Sequence, residues 1–330
     1  ASLALAILGF RQFSIQLAGG AWWPIVQDNI GSDLSWFITK QRMAQRSVTL
    51  VVPLALGYYL GSELGPRTFA APYAIATAFL LLGAVLVRTV AERSTPISDD
   101  RLVVRFIGVL RVSAMRRYCL CFSVCEFVHM ATVPFWVVVL IDQGLPASYF
   151  VAMMSVMALG EIITLYAWGR LVELYGGRGP LTLALFMQVC LAPMWLLLPD
   201  NGETSLVIFV AIYYVMWGIS VAGAGFGDTR AMVDSVPQEN RGEAFTVATY
   251  AHAVGGALGG FAGGLFFEWV SAGVWQADEK PEIIYLVFMQ LAILVGYGLS
   301  RRLVNHSCET PTPALVRHVL TRPFRRGNPC

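Results

Sequence analysis

This sequence is short of charge. Asp, Glu, Lys and Arg fill 13% of its 330 positions, against 56% hydrophobic residues and a mean hydropathy of +0.62. A soluble core of this size needs no such excess, so the composition excludes an ordinary water-soluble globule and points to a bilayer. The six cysteines, at 119, 121, 125, 190, 308 and 330, are too irregular for a disulfide framework or for paired zinc knuckles. Cys121 and Cys125 stand near Glu126 and His129, but spacing alone is weak support, and neither a metal nor any other cofactor is assigned. No nucleotide-binding loop accompanies the apolar runs, which argues against ATP hydrolysis and against an enzyme. Nothing in the chain reads bases or stacks on them, so nucleic acid is not an expected partner.

What is present is a series of long apolar runs. A hydrocarbon core of roughly 30 Å needs about 20 apolar residues at 1.5 Å each. Runs of this kind lie near 3–28, 46–62, 69–90, 118–141, 147–167, 180–198, 205–226, 243–267 and 282–300, the second being the shortest, with a preceding polar turn able to extend its helix into the interface. They predict an all-α polytopic membrane protein with nine transmembrane helices. Uniform apolarity and length argue against barrel strands. Short connections rich in turn formers, such as "DQGLPA" and "PDNGET", suit antiparallel neighbours in a bundle.

Basic residues then orient the chain. With the first residues outside, the inner segments hold 20 Lys and Arg, while only Arg67 and Lys280 fall outside and Arg11 lies within the first run. A bias of that size sets topology and places the basic tail from Arg301 in the cytoplasm. The expected location is an inner or plasma membrane. The tail itself suits anionic lipid.

The sequence also repeats. "IVQDNIGSDLSWFITKQRMA" (25–44) and "AMVDSVPQENRGEAFTVATY" (231–250) each leave an apolar helix through a hydrophobe-polar-Asp pattern, aligning Asp28 with Asp234. If the first span pairs with the seventh, the fourth to sixth have no counterparts, and three helices are expected to be missing from the start. That expectation agrees with a first residue that is Ala and with the lack of a signal peptide. In "GRLVELYGGR" (169–178), Gly169, Leu171, Glu173, Gly176 and Arg178 stand where the major facilitator superfamily carries its signature loop. Leu174 departs from the usual basic residue, and Glu173 replaces the usual aspartate. "RAMVDSVPQENRGEAF" (230–245) is similar to that family's connection between helices ten and eleven, and "WWPIVQDNI" (22–30) to the exit of helix four.

The chain thus resembles helices four to twelve of a twelve-helix fold made of two bundles. The resemblance implies an incomplete N-terminal bundle at 1–90, a cytoplasmic linker at 91–117, a six-helix bundle at 118–300 and a tail at 301–330. It also implies transport of a small solute. Gly169, Arg170, Glu173, Gly176 and Arg178 are candidates for a latch at the inner face, where Glu173 accepts hydrogen bonds from helix N-terminal amides or pairs with Arg170 or Arg178.

Charges inside spans cost at least about 2.5–3.5 kcal/mol each on the insertion scale, so each is a candidate for function. Arg11, with Gln16 five residues on, is placed to bind an anionic group or to pair across the bundle. Glu126 and His129 share a helix face and can serve proton coupling, solute contact or helix–helix bonding. Glu161 is expected to reach the signature turn or Arg230. Asp228, Arg230 and Asp234 close the seventh span, and His252 lies halfway along the eighth, where a bond to a neighbouring helix is the simpler reading.

The eighth span repeats glycine at four-residue spacing on two faces, Gly255, Gly259 and Gly263 beside Gly256, Gly260 and Gly264. Small side chains permit close backbone approach, and the expected use is sliding between the two bundles. Pro24, Pro53 and Pro134 are expected to bend their helices. The nine tryptophans are expected at span ends as interfacial anchors, Trp217 excepted. The functional expectation is secondary transport by alternating access, with a proton as possible coupling ion. The alternative is a non-transporting assembly subunit, with a partner supplying the missing helices.

Overall fold

The computed structural model describes residues 34–60, 70–87, 89, 102–199, 203–236, 241–271 and 281–303. The expected first span with Arg11, Gln16 and Asp28, and the tail beyond residue 303, lie outside the described residues. Within them every regular element is helical. In lipid a chain must satisfy its backbone polar groups internally, and helices do so within one segment.

The helices are α1 (Leu34–Leu60), α2 (Ala70–Val87), α3 (Leu102–Arg111), α4 (Ser113–Asp142), α5 (Ala147–Tyr175) and α6 (Arg178–Leu191), the last continued by a 3-10 segment, Ala192–Leu197. Then come α7 (Glu203–Ser235), α8 (Arg241–Ser271), α9 (Pro281–Leu291) and α10 (Ile293–Ser300). Alpha-helices of about 30 residues rise about 45 Å, so α4, α5, α7 and α8 exceed the hydrocarbon core and carry their ends into the interface.

Six segments are long and apolar enough to cross a membrane: Ser113–Asp142, Ser148–Tyr175, Arg178–Leu197, Thr204–Ser235, Gly242–Ser271 and Pro281–Ser300. The expected nine spans are thus about six among the described residues. The run at 3–28 lies outside them, and α2 offers only a shorter apolar stretch. Helix α1 starts at Leu34, so the polar turn ahead of the apolar run at 46–62 does extend that helix, and Lys40, Arg42 and Arg46 make its first half polar.

Helix pairing follows the sequence pattern of small residues. The broadest contacts are α4 with α8, α5 with α7, and α1 with α5, followed by α6 with α7. Between α5 and α7 the crossing is glycine on backbone: a Cβ on Gly160 would strike the Val215 carbonyl, and one on Gly218 the Met157 carbonyl. Between α4 and α8, Cβ atoms on Gly255 and Gly259 would strike the carbonyls of Ser123 and Phe127, and one on Gly263 would lie 2.7 Å from Ala131 Cα. This stripe therefore joins α8 to α4 within the C-terminal helices, a correction to its expected place between two bundles. The second stripe is looser. Gly260 and Gly264 meet nothing within 4 Å, and Gly256 meets only the Met130 side chain at 3.3 Å.

Three apolar clusters fill the interior. Met115, Phe122, Phe245 and Ile293 belong to one, and Ile38, Leu165, Trp168 and Phe226 form the seam of α1, α5 and α7. The third gathers Trp136, Trp195, Tyr213, Tyr214 and Trp217. Trp136 lies edge-on to Tyr213, Tyr214 and Trp217 at 4.8–5.7 Å, the favoured arrangement for aromatic quadrupoles. Trp136, Trp168 and Trp195 are thus core residues rather than interfacial anchors, since their indoles fill gaps between helices. Trp269, 51% exposed, does face outward. Pro134 sits inside α4, and in the turn before it the Thr132 hydroxyl donates to Val128 O at 2.6 Å while the Tyr285 hydroxyl donates to Ala131 O.

Neighbouring glycines on α8 give a sharp test of this packing. Gly259→Ala forces a methyl group against the α4 backbone and is expected to cost about 1–3 kcal/mol, the usual range for overpacking. Gly260→Ala should stay within about 0.5 kcal/mol, as for an uncrowded site. Thermal unfolding of the two variants in lipid nanodiscs, followed by tryptophan fluorescence, measures the difference; equal midpoints would refute the close α4/α8 seam.

Candidate functional site: a polar seam between helices

The buried charges gather where α1 meets α5 and α7, and where α4, α7 and α8 converge. Arg42 and Arg46 are one turn apart on α1 and so point to one side. Arg46 Nε lies 2.6 Å from Glu161 Oε2 on α5, with side-chain exposures of 19% and 1%. The contact is close in distance but outside good hydrogen-bond alignment, and Glu161 Oε1 has no hydrogen-bond partner among the described residues. Arg42 Nη2 donates to Gly225 O at 2.9 Å and to Thr229 Oγ1 at 3.2 Å on α7, and its guanidinium stands 5.0 Å from the Phe226 ring. Gly169 completes the seam, since a Cβ there would lie 2.8 Å from Thr39 Oγ1.

Glu161 was expected to reach the signature turn or Arg230. It faces α1 instead, because Arg230 is turned to Asp234, 3.0 Å away and one helical turn on. Asp228, two residues before Arg230, projects to another side. Its Oδ1 accepts from the Tyr118 hydroxyl of α4 at 2.7 Å, and Tyr118 Oη is 3.0 Å from His252 Nε2 of α8. His252 Nε2 and Asp228 Oδ1 are 3.9 Å apart. The imidazole is flanked by Phe122 at 5.3 Å, nearly parallel, and by Tyr118 at 5.9 Å.

Glu126 and His129 share α4, yet they do not meet as a hydrogen-bonded pair. His129 is edge-on to Trp217 at 5.7 Å and its Nε2 is buried without a hydrogen-bond partner among the described residues. Glu126 lies within electrostatic reach of Asp228. Among the described residues no group of three or more His, Cys, Asp or Glu is arranged to hold a metal ion.

At the signature turn, Gly176 adopts φ 71°, a conformation open to glycine at no steric cost, and its N–H closes α5 on Val172 O at 2.9 Å. Gly177 packs on α7, where a Cβ would lie 2.6 Å from Ala231 N. Glu173 accepts from Arg170 at 3.1 Å, an i,i+3 pair with both side chains exposed. Exposed pairs of this kind contribute little to stability. Arg178 opens α6, where its carbonyl accepts from Thr182 Oγ1 at 2.7 Å.

Sequence reasoning missed Arg42, Arg46 and Tyr118 as site residues. The two arginines were counted as inner-loop charges, although their i,i+4 spacing ahead of an apolar run is the signal of one helix face. Tyr118 carried no signal beyond its position eight residues before Glu126 on an apolar helix.

The Arg46 and Glu161 pair yields a stability prediction. Arg46→Ala strands a carboxylate that is 1% exposed and should destabilise the protein by about 3–5 kcal/mol. Adding Glu161→Gln should recover most of that loss, since the stranded charge is then gone. Thermal unfolding of the single and double variants decides; equal losses in both would mean that the pair is not electrostatically coupled.

Comparison with known proteins adds one match and two blanks. The family model described as Major Facilitator Superfamily matches residues 42–260, which include α1 from Arg42 onward, α2, the signature turn, Tyr118 and His252. No curated protein and no solved structure matches the chain. The apolar helices, the turn at 169–178 and this match over well over half of the sequence agree, and the chain belongs to the Major Facilitator Superfamily, a family of multi-pass membrane transporters.

Proposed function

We propose that the chain is a secondary active transporter that moves a small solute by alternating access, coupled to protons. The observation that carries the reading is the contrast between its helix seams. The α4/α8 and α5/α7 seams are backbone-to-backbone contacts at glycine and leave no room to slide. The α1 seam is held by an ion pair and by an arginine on a carbonyl, a hydroxyl and a ring. Long polar side chains exchange partners over several ångströms, whereas packed interfaces switch only between discrete arrangements. Motion between an N-terminal group containing α1 and a C-terminal group at 118–300 is therefore the proposed transport step.

Within this reading Glu161, Arg46 and Arg42 latch one state, and the turn carrying Gly169, Arg170, Glu173, Gly176 and Arg178 steadies the inner end with Asp228, Arg230 and Asp234 nearby. The unfilled Glu161 Oε1 is suited to an N–H or O–H donor of the solute. Glu126, His129 and His252 are proposed contacts for solute or proton, and Arg11 and Gln16, which lie outside the described residues, are proposed for the same role. The basic inner segments support a cytoplasmic C-terminus in an inner or plasma membrane.

The test is flux. The full chain reconstituted in vesicles with an imposed pH gradient should accumulate at least one of a panel of radiolabelled sugars, amino acids, amines and organic anions above protein-free vesicles. A protonophore should abolish that accumulation. Accumulation that survives the protonophore would remove proton coupling, and a panel with no flux above protein-free vesicles would count against transport and in favour of an assembly role.

A further inference from the structure

Tyr118, Asp228 and His252 come from three different membrane helices, α4, α7 and α8, and form one continuous hydrogen-bonded chain. Tyrosine has a single hydroxyl hydrogen. At 2.7 Å from Asp228 Oδ1 that hydrogen is committed to the carboxylate, so at 3.0 Å from His252 Nε2 the tyrosine oxygen can only accept. His252 must then carry its hydrogen on Nε2, which leaves Nδ1 bare. The near-parallel Phe122 ring 5.3 Å away restrains the imidazole plane and keeps Nε2 aimed at the hydroxyl.

We propose that these three residues are a proton-binding relay, in which a proton taken up at His252 Nδ1 is transferred through Tyr118 to Asp228. The arrangement deepens the proton-coupled reading above and rests on it for its use. As Nδ1 gains a proton, the Nε2 proton passes to the tyrosine oxygen and the tyrosine's own proton passes to Asp228 Oδ1. Atoms and charge balance: one proton enters, and the cluster goes from a carboxylate with neutral imidazole to a carboxylic acid with neutral imidazole. The hydrogen bonds reverse direction without any change of partner.

Two features favour this neutral end state over an imidazolium facing a carboxylate. His252 Nε2 and Asp228 Oδ1 are 3.9 Å apart, too far for a direct hydrogen bond, so an ion pair would lack one. A buried ion pair without good geometry does not recover its desolvation cost. The other groups acting on Asp228 are Arg42 from α1 and Glu126 from α4, opposite in sign, while the thiols of Cys121 and Cys125 on α4 face Gly296 of α10. Arg42 is itself held by Gly225 O, Thr229 and Phe226, so it is not free to pair with Asp228. The three helices of the relay belong to the group locked by glycine and aromatic contacts, so conformation reaches it through α1, whose Arg42 sits on Gly225 and Thr229 of α7 and alters the charge acting on Asp228 when that seam opens.

The test uses the full chain in lipid nanodiscs with ring-15N histidine, His252 being assigned by its loss in His252→Gln, together with infrared difference spectra over the same pH range. His252 should start as the Nε2–H tautomer and convert on acidification to the Nδ1–H tautomer, while a protonated-carboxyl band grows in. Asp228→Asn should eliminate the band and the tautomer switch. Tyr118→Phe should uncouple them, so that His252 goes directly to the doubly protonated ring. Should Tyr118→Phe fail to fold, wild type against Asp228→Asn decides. A wild-type His252 that becomes doubly protonated with Asp228 still ionised, or one that titrates identically in Tyr118→Phe, overturns the relay. No solute is needed, so that outcome leaves the transport reading standing, and absent flux beside a working relay would remove only the transport reading.

Discussion

A carboxylate that is 1% exposed inside an apolar helix pair dictates much of what surrounds it. Glu161 on α5 requires a nearby cation, and Arg46 on α1 supplies it at 2.6 Å. That requirement draws α1 onto α5 along a polar face, brings Arg42 one turn away onto Gly225 O and Thr229 of α7, and lets Thr39 approach the side-chain-free surface of Gly169. Apolar packing alone would not specify this seam, because between helices in lipid the hydrophobic effect gives no preference for one apolar face over another. The charges choose the face, and Ile38, Leu165, Trp168 and Phe226 then fill the space around it.

Two chemistries of helix contact thus divide the molecule. Glycine contacts fix α5 to α7 and α4 to α8 at backbone distance, and the aromatic cluster around Trp136 binds the ends of α4, α6 and α7 into the same body. The polar seam along α1 has no such lock. Because α7 takes part in both, contributing Gly218 to a rigid crossing and Gly225 and Thr229 to the polar one, a shift of α1 acts directly on the helix that carries Asp228. The proposed latch and the proposed proton relay are therefore neighbours on one element rather than distant sites.

Helix existence was legible in the sequence because a 20-residue apolar run in so uncharged a chain has few other uses, and the turn at Gly176 was legible because glycine pairs between charged residues mark reversals. The start of α1 was legible only as a polar turn able to extend the shortest span, and the partners of Arg42 on α7 and Arg46 on α5 were not legible at all. The glycine repeat in α8 was seen, but which of its two faces packs is set by the partner helix. Likewise the indoles of Trp136 and Trp195 lie near span ends in sequence and still turn inward. Residues that act singly were the harder case: the sequence signals Asp228 and His252 as costly groups in a membrane, whereas Tyr118, which joins them, is unremarkable until three helices are assembled.

The central claim is that the α1/α5 seam moves while the glycine seams do not. Spin labels at Val48 and Ile163, outward-facing positions on α1 and α5, report the first, and labels at Leu120 and Phe261 on α4 and α8 report the second. Pulsed electron-electron distance measurements in nanodiscs should give two α1–α5 populations whose weights shift when Glu161 is changed to Gln, beside one narrow α4–α8 distance that does not respond. A single α1–α5 distance, unaltered by that substitution, would contradict the account and reduce the Arg46 and Glu161 pair to a static structural contact.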